Sequence, residues 1–215
     1  MTGERVPTVP PTTPPPTTPP PTTRRADPAR RDRIIDACLE LIAETGVAGT
    51  SHRKVAARAN VPLGSMTYHF TGMDELLRAA FTRFSDGVVA VFETRLAAAG
   101  TVEEARAAVV GIIDDDLLAS PHELVLTHEL YALAARNPEY RQITHRWMRR
   151  SRAALQRHFS PDTAAQLDAL IEGLSIHRAL DTEPRDPRQT VDAVARITGG
   201  SAGGSAAGSA AGVSG

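Results

Sequence analysis

The chain has 215 residues, a formal charge of −1, a 41% share of hydrophobic residues and a single cysteine, Cys38. One cysteine excludes an internal disulfide framework and suits a reducing compartment, and no apolar run approaches the roughly 20 residues of a membrane-spanning helix. The expectation is therefore a soluble cytoplasmic protein with one or two globular units.

Residues 7–23 are almost entirely Pro and Thr, with PTTPPPTTPPPTT at their centre. Such a run favours polyproline II and cannot bury a core. No apolar stretch follows the early basic residues, so a targeting segment is not expected. At the other end, GGSAGGSAAGSAAGVSG reads as flexible coil.

Between these ends the sequence predicts helix after helix. Asp27 and Pro28 resemble an N-cap and a first helical residue. Ile34, Ile35, Cys38, Leu41 and Ile42 then recur at helical spacing until Gly46. Ser51 is placed to cap a short second helix carrying Val55, Ala56 and Ala59, which ends before Pro62. Thr71 and Asp74 resemble a capping box, with Asp in the Glu position, opening a long helix to about Ala98. Its stripe is Leu77, Phe81, Phe84, Val88, Val91 and Phe92, and Gly87 is a weak or close-packing point in it.

Capping residues continue to mark starts. Thr101 opens a helix expected to reach about Ala119, Pro121 one to Asn137, and Pro138 a third. In that third helix Tyr140, Ile143, Trp147, Met148, Ser151, Leu155 and His158 share a face. Ser160-Pro161 starts a helix to about Leu180, and Asp186-Pro187 a last one to about Ile197. No alternating strand pattern of any length occurs, so the fold class is all-α.

Residues 61–70, VPLGSMTYHF, fit neither a robust helix nor a strand. The stretch makes sense as the second helix of a helix-turn-helix, which leads with its N-terminus into the DNA major groove. Gly64 and Ser65 allow close backbone approach, and Pro62 sets the direction without losing a needed hydrogen bond. Met66 and Phe70, four apart, are expected to hold the inner face. Leu63, Ser65, Thr67, Tyr68 and His69 are left for base edges, thymine methyls and phosphates, although Tyr68 equally suits packing. Charge agrees in direction: residues 24–72 hold eight basic against five acidic side chains, residues 73–215 fifteen against nineteen.

These residues carry a resemblance. The stretch 30–77, from RRDRIIDACLELIAETGVAGTSHRKVAARANVPLGSMTYHF through TGMDELL, resembles the DNA-binding domain of the TetR (tetracycline-repressor-like) family. The remaining sequence is similar only in helix count, in the long connecting helix and in length. The resemblance implies a homodimeric regulator, most often a repressor, that binds a palindromic operator in double-stranded DNA and answers to a small-molecule effector. It places Arg53 where some members touch a base, and Ser65, Thr67 and His69 on recognition positions. Gly64 and Lys54 complete the expected DNA-facing set, with a solvated face the other reading of Lys54. Thr67 stands where Tyr is usual and Met73 where a phosphate-binding Lys is usual. Arg24, Arg25 or the arginines at 30, 31 and 33 are candidates to replace that lysine. The latter three sit at the positive end of a helix dipole, which a DNA phosphate would relieve; a solvated helix start is the alternative.

The organisation read from the sequence is a tail (1–25), a helix-turn-helix domain (26–72), a helical effector-binding and dimerisation domain (73–198) and a second tail (199–215). Within 73–198, Glu129, Tyr131, His145, Trp147, Glu172 and His177 are polar groups among apolar ones and are the candidate ligand contacts. Solvated or core-satisfied side chains are the plainer reading of each. The helices of about 161–180 and 187–198 are the dimerisation candidates, with Leu167, Leu170, Ile171, Leu174 and Gly173.

Catalysis finds no support. His122-Glu123 and His128-Glu129 begin like a zinc-binding HExxH, but Leu126 and Ala132 stand in place of the second histidine. Asp114, Asp115 and Asp116 are consecutive and diverge around a helix, which suits a solvated face or a helix end rather than a metal. Neither a Walker A sequence nor GxSxG occurs. No enzyme activity, metal or cofactor is expected. The competing function is a helical adaptor on the same fold without DNA binding, a reading that Met73 favours.

Overall fold

The computed structural model describes residues 29–183, 186 and 188–199. Among them lie nine α-helices and no strand. They are α1 (Arg30–Thr45), α2 (His52–Arg58), α3 (Leu63–His69), α4 (Met73–Ala98) and α5 (Val102–Gly111). A π-helical turn follows at Ile112–Asp116, then α6 (Pro121–Arg136), α7 (Pro138–Leu155), α8 (Pro161–Leu180) and α9 (Arg188–Ile197). No helix among the described residues is long and apolar enough to cross a membrane.

Most starts are made by the residues expected. The side chains of Ser51, Thr101, Ser120, Asn137 and Ser160 each accept a backbone N–H from the first turn of α2, α5, α6, α7 and α8. At α5 the reciprocal half is also present, Glu104 accepting from the Thr101 N–H. Gly46 closes α1 at φ +69°, a left-handed conformation that glycine adopts without penalty. The expected cap of the first helix at Asp27-Pro28, Pro187 and both tails lie outside the described residues.

Two expectations fail locally. Thr71 and Asp74 do not form the capping box of α4. Glu75, one carbon longer and one residue on, reaches back instead, and its Oε2 accepts from the Thr71 N–H and Oγ1–H at 2.7 Å each. The helix opened by Thr101 stops short of Ala119. After Gly111 the chain widens by one residue per turn, Leu117 N–H donating to Ile112 O five residues back at 2.9 Å. Leu117 is then extended, and Leu118 takes φ +55°. That is a strained, left-handed position for a branched side chain.

Two apolar cores meet along α4. The first joins α1, α2 and α3 to the leading half of α4 and to α6 and α7, with Ile34, Cys38, Ile42, Val55, Met66, Phe70, Phe81 and Leu130. The second joins the trailing half of α4 to α5, the π-helical turn, α8 and α9, around Phe92, Leu96, Ile112, Ile113, Leu167 and Ile171. At about 1.5 Å per residue, the 26 residues of α4 span about 39 Å and enter both cores.

Ion pairs fix the joints. Arg58 of α2 forks onto Glu44 of α1 at 2.6 and 2.8 Å and also reaches Glu40. Arg83 of α4 binds Asp36 at 2.7 Å and Asp32, both on α1. Arg150 of α7 spans Asp86 and Glu93 on α4 at 2.8 Å. The three consecutive aspartates lie at a helix end, one of the two readings given them, but not on a plain solvated face. Asp114 accepts from Thr190 of α9, and Asp116 pairs with Arg95 of α4. The π-helical turn changes their phase, and that lets them face neighbours.

Candidate nucleic-acid interface and ligand cavity

The α2–α3 unit turns through Ala59–Pro62, with Val61 N–H closing onto Ala56 O at 3.0 Å and Asn60 at φ +51°. Asparagine tolerates this conformation better than most residues. Pro62 supplies the extended residue ahead of α3, and its carbonyl accepts from Ser65 N–H at 2.8 Å. Met66 and Phe70 are fully buried, as their spacing demanded. Across the helix, Leu63, Gly64, Thr67 and Tyr68 are exposed, Tyr68 at 84%, while Ser65 and His69 are half-buried at the edges. A largely exposed tyrosine beside an exposed leucine is an unusual outward face for a water-facing helix.

Arg53 is exposed near the start of α2. Lys54 is exposed too, but its ammonium donates to Gly49 O at 2.6 Å. Thr67 Oγ1–H donates to Gly64 O at 3.2 Å, leaving oxygen lone pairs outward. Tyr68 and His69 meet edge to face with centroids 4.9 Å apart. The Arg31 guanidinium lies 5.0 Å from the Phe70 ring centre, which turns one of the three helix-start arginines toward α3. Met73 is half-buried against the first core and presents no cation.

The six candidate ligand contacts separate. Tyr131 of α6, Trp147 of α7 and Glu172 of α8 converge on an interior cavity of about 400 Å³ in total empty space. Glu129 does not reach it: the side chain lies over Gly46, where an added Cβ would sit 2.5 Å from its Oε1. His145 and His177 are exposed on α7 and α8 and line no part of it. Helix phase explains these results, since Glu129 and His145 stand two residues from Tyr131 and Trp147, and His177 five from Glu172, spacings that face different ways on a helix.

Several lining residues were not singled out from the sequence. Phe92 comes from α4, Leu117 and Leu118 from the segment after the π-helical turn, Thr127 from α6, Met148 and Ser151 from α7, and Asp168, Ile171 and Ile176 from α8. Spacing could have found some: Thr127 precedes Tyr131, and Asp168 precedes Glu172, by four residues on a shared helix face. Tyr131 and Trp147 rings stand 6.1 Å apart at 36°, and Phe84 meets Trp147 edge-on at 6.0 Å.

The cavity carries two carboxylates of different standing. Burial raises the Asp168 carboxyl pKa, and the Arg152 Nε–H bond at 2.8 Å counters this. Burial likewise raises Glu172. The Tyr131 hydroxyl bond and the charge of His128 work against that shift, and the charge of Asp168 adds to it. Burial and Glu172 together push the Tyr131 phenol far up, so it remains a donor. Thr127 Oγ1 is enclosed with no hydrogen-bond partner.

A second, more open cavity, with about 720 Å³ of empty space that includes open solvent at its mouth, lies on the other side of Phe92 and Leu117, which wall both. Its further lining includes Leu39 of α1, Arg83, Gly87, Val88 and Val91 of α4, and Glu123 and Leu126 of α6. Val88 and Val91, placed in the apolar stripe of α4, thus border open space; Val91 is exposed. Among the described residues no cluster of His, Cys, Asp or Glu is arranged to hold a metal.

Comparison with known proteins places both halves. Residues 34–80 match the family described as bacterial regulatory proteins, tetR family, and residues 100–200 match the tetracyclin repressor-like C-terminal domain. The HTH-type transcriptional regulator BetI of Burkholderia mallei (strain NCTC 10229) is 32% identical over 168 residues, 74% of this chain and 86% of that protein. Among solved structures, SCO7518 from Streptomyces coelicolor A3(2) is 59% identical with a TM-score of 0.76, over 80% of this chain and 99% of that one. The multidrug binding protein EbrR, solved in complex with ethidium, is 33% identical with a TM-score of 0.67, over 79% and 98%.

Proposed function

Because the chain belongs to the tetR family of bacterial regulatory proteins, we propose that it is a repressor, binding a palindromic operator as a homodimer and released by a small molecule in the cavity between α4, α6, α7 and α8. The observation that carries the DNA-binding half is the division of α3. Met66 and Phe70 anchor it to the core, while Leu63, Gly64, Thr67 and Tyr68 stand exposed on the opposite side. That face, with Ser65 and His69 at its edges, is the one read against base edges and thymine methyls. Arg53 and Lys54 flank it as a base and a phosphate contact; Lys54 would exchange the Gly49 carbonyl for a phosphate oxygen.

Dimerisation is assigned to α8 and α9. Leu180 and Val191 are exposed there, and nothing lies within 4 Å of a Cβ added at Gly173, which leaves room for a partner helix. Twofold symmetry then sets two α3 helices on half-sites about 34–36 Å apart, or a multiple of that. Release follows if the effector favours a dimer whose two α3 helices no longer match that spacing. The ligand-bound EbrR relative supports a small molecule as that signal.

The test is selection from random duplex DNA with the full chain, followed by affinity against salt. Enrichment of a palindrome, with affinity falling steeply as salt rises, is the expected result. A proven dimer that enriches no sequence at low salt would overturn the reading in favour of the adaptor.

A further inference from the structure

Resting on that regulatory reading, we propose that the effector is an elongated organic monocation, an arylalkyl ammonium in class. Its charged head pairs with Glu172, and its apolar body passes Phe92 and Leu117 into the cavity beside Gly87.

The charge follows from an imbalance among the lining groups. Asp168 already has Arg152 at 2.8 Å, whereas the partner of Glu172 inside the cavity is the neutral hydroxyl of Tyr131. Glu172 is half-buried and feels the charge of His128, which does not line the cavity; desolvating its carboxylate is still costly, and one arriving positive charge offsets that cost. An anion would find no free counter-charge. Arg83 is the only basic residue among the described lining side chains of the two cavities, and Asp32 and Asp36 hold it.

Two further features sharpen the chemistry. Thr127 is 3% exposed with its hydroxyl unpartnered, one helical turn from Tyr131. An enclosed hydroxyl in need of a partner suits an ammonium that still carries N–H. The Tyr131 and Trp147 rings both line this cavity with centroids 6.1 Å apart, and an aromatic face attracts a cation by its quadrupole.

Length follows from the space. Only about 20 Å³ of the inner cavity is open to the centre of a water molecule, against about 280 Å³ in the outer one. A head group fits inside once Met148 swings aside; an aromatic body needs the outer space. The shared wall includes the irregular segment that follows α5. Leu117 ends a π-helical turn, and Leu118 holds a left-handed backbone conformation that is strained for its side chain.

Trp147 is the sole tryptophan and lines the inner cavity, so its emission reports on this site alone. The experiment titrates the full chain with 6-phenylhexylammonium and with 6-phenylhexan-1-ol, its neutral counterpart. We expect the cation to bind at least tenfold tighter. Glu172→Gln should bring the cation to the level of the alcohol and leave the alcohol unchanged. Gly87→Leu, where a Cβ meets nothing within 4 Å, should weaken both long compounds at least fivefold and leave butylammonium unaffected. Equal affinity of the two probes, a preserved cation preference in Glu172→Gln, no effect of Gly87→Leu, or no change in Trp147 emission would each overturn the proposal. Thermal midpoints matching the parent exclude misfolding as the cause. Operator selection is read separately: a chain that enriches a palindrome yet ignores both probes keeps the proposed function and loses this inference.

Discussion

Arg83, midway along α4, donates to Asp36 of α1 at 2.7 Å and also holds Asp32, while its own side chain borders the outer cavity. The helix that walls the ligand space therefore grips the helix against which α2 and α3 are packed. No loop intervenes, so a shift of α4 reaches the DNA-facing unit through one guanidinium and the apolar contacts around Phe81 and Phe84.

Arg83→Ala tests that grip. The pair is over a third exposed, and such pairs contribute at most about 1 kcal/mol after solvent screening. The melting midpoint should barely move. The ratio of operator affinities without and with saturating 6-phenylhexylammonium should fall at least threefold. An unchanged ratio would remove Arg83 from the coupling.

Arg53→Ala addresses the DNA-facing surface. Arg53 is exposed and joins no ion pair with the described residues, so its loss should not unfold α2. Operator affinity is expected to drop by about 1–3 kcal/mol, with relaxed preference at one base pair per half-site. A uniform loss across all sequences, with a shallower salt slope, would identify a phosphate contact instead.

Tyr140 separates hydroxyl from ring. It is 1% exposed, its ring meets Phe81 edge-on at 6.2 Å, and its hydroxyl donates to Asp74 Oδ1 at 2.8 Å. Asp74 is exposed and keeps Arg78, so Tyr140→Phe strands no buried group and should cost about 1 kcal/mol. Tyr140→Ala should cost about 3–5 kcal/mol. Urea midpoints at unchanged slope would read both, and similar losses would show that the ring is not the main contributor.

Cys38 is fully buried, and burial pushes its thiol up to about 12 from an ordinary 9.0. The thiolate is the reactive form, so a maleimide at pH 8 should leave the folded chain unlabelled and label it on unfolding. Because the folded value lies above the unfolded one, the unfolded chain releases the proton first. This contribution to stability is intact below pH 9 and is lost as pH rises toward 12. Cys38→Ala should flatten that alkaline loss; an identical pH profile would assign it to other groups.

How much was legible varied with the kind of signal. Caps such as Ser51, Thr101 and Ser160 were readable because one side chain satisfies one local N–H, with no knowledge of the rest of the fold. The inner face of α3 was readable because Met66 and Phe70 are four apart. The Glu75 cap was missed because Asp74 occupies the usual position, and only chain geometry shows the longer side chain arriving first. The π-helical turn was invisible, as IIDDD carries no pattern that separates it from ordinary helix. The ligand space was legible in part. Tyr131, Trp147 and Glu172 stood out as polar or aromatic in apolar surroundings, but so did His145 and His177, which point outward. Which of them converge depends on the relative rotation of α6, α7 and α8, a quantity set by packing among distant segments.

The widened turn at Ile112–Asp116 makes the ligand wall sensitive to chain length as well as to side-chain identity. Removing one residue there would restore the ordinary helical repeat and turn the residues inside the segment by up to about 100° relative to the neighbours they now face. Leu117 would leave the partition, and Asp116 would part from Arg95. A substitution trims one surface of the chamber, whereas a single-codon deletion in this segment exchanges several surfaces at once. Descendants of this gene that gain or lose a codon here would acquire a different chemical appetite in one step, with the DNA-facing helices untouched.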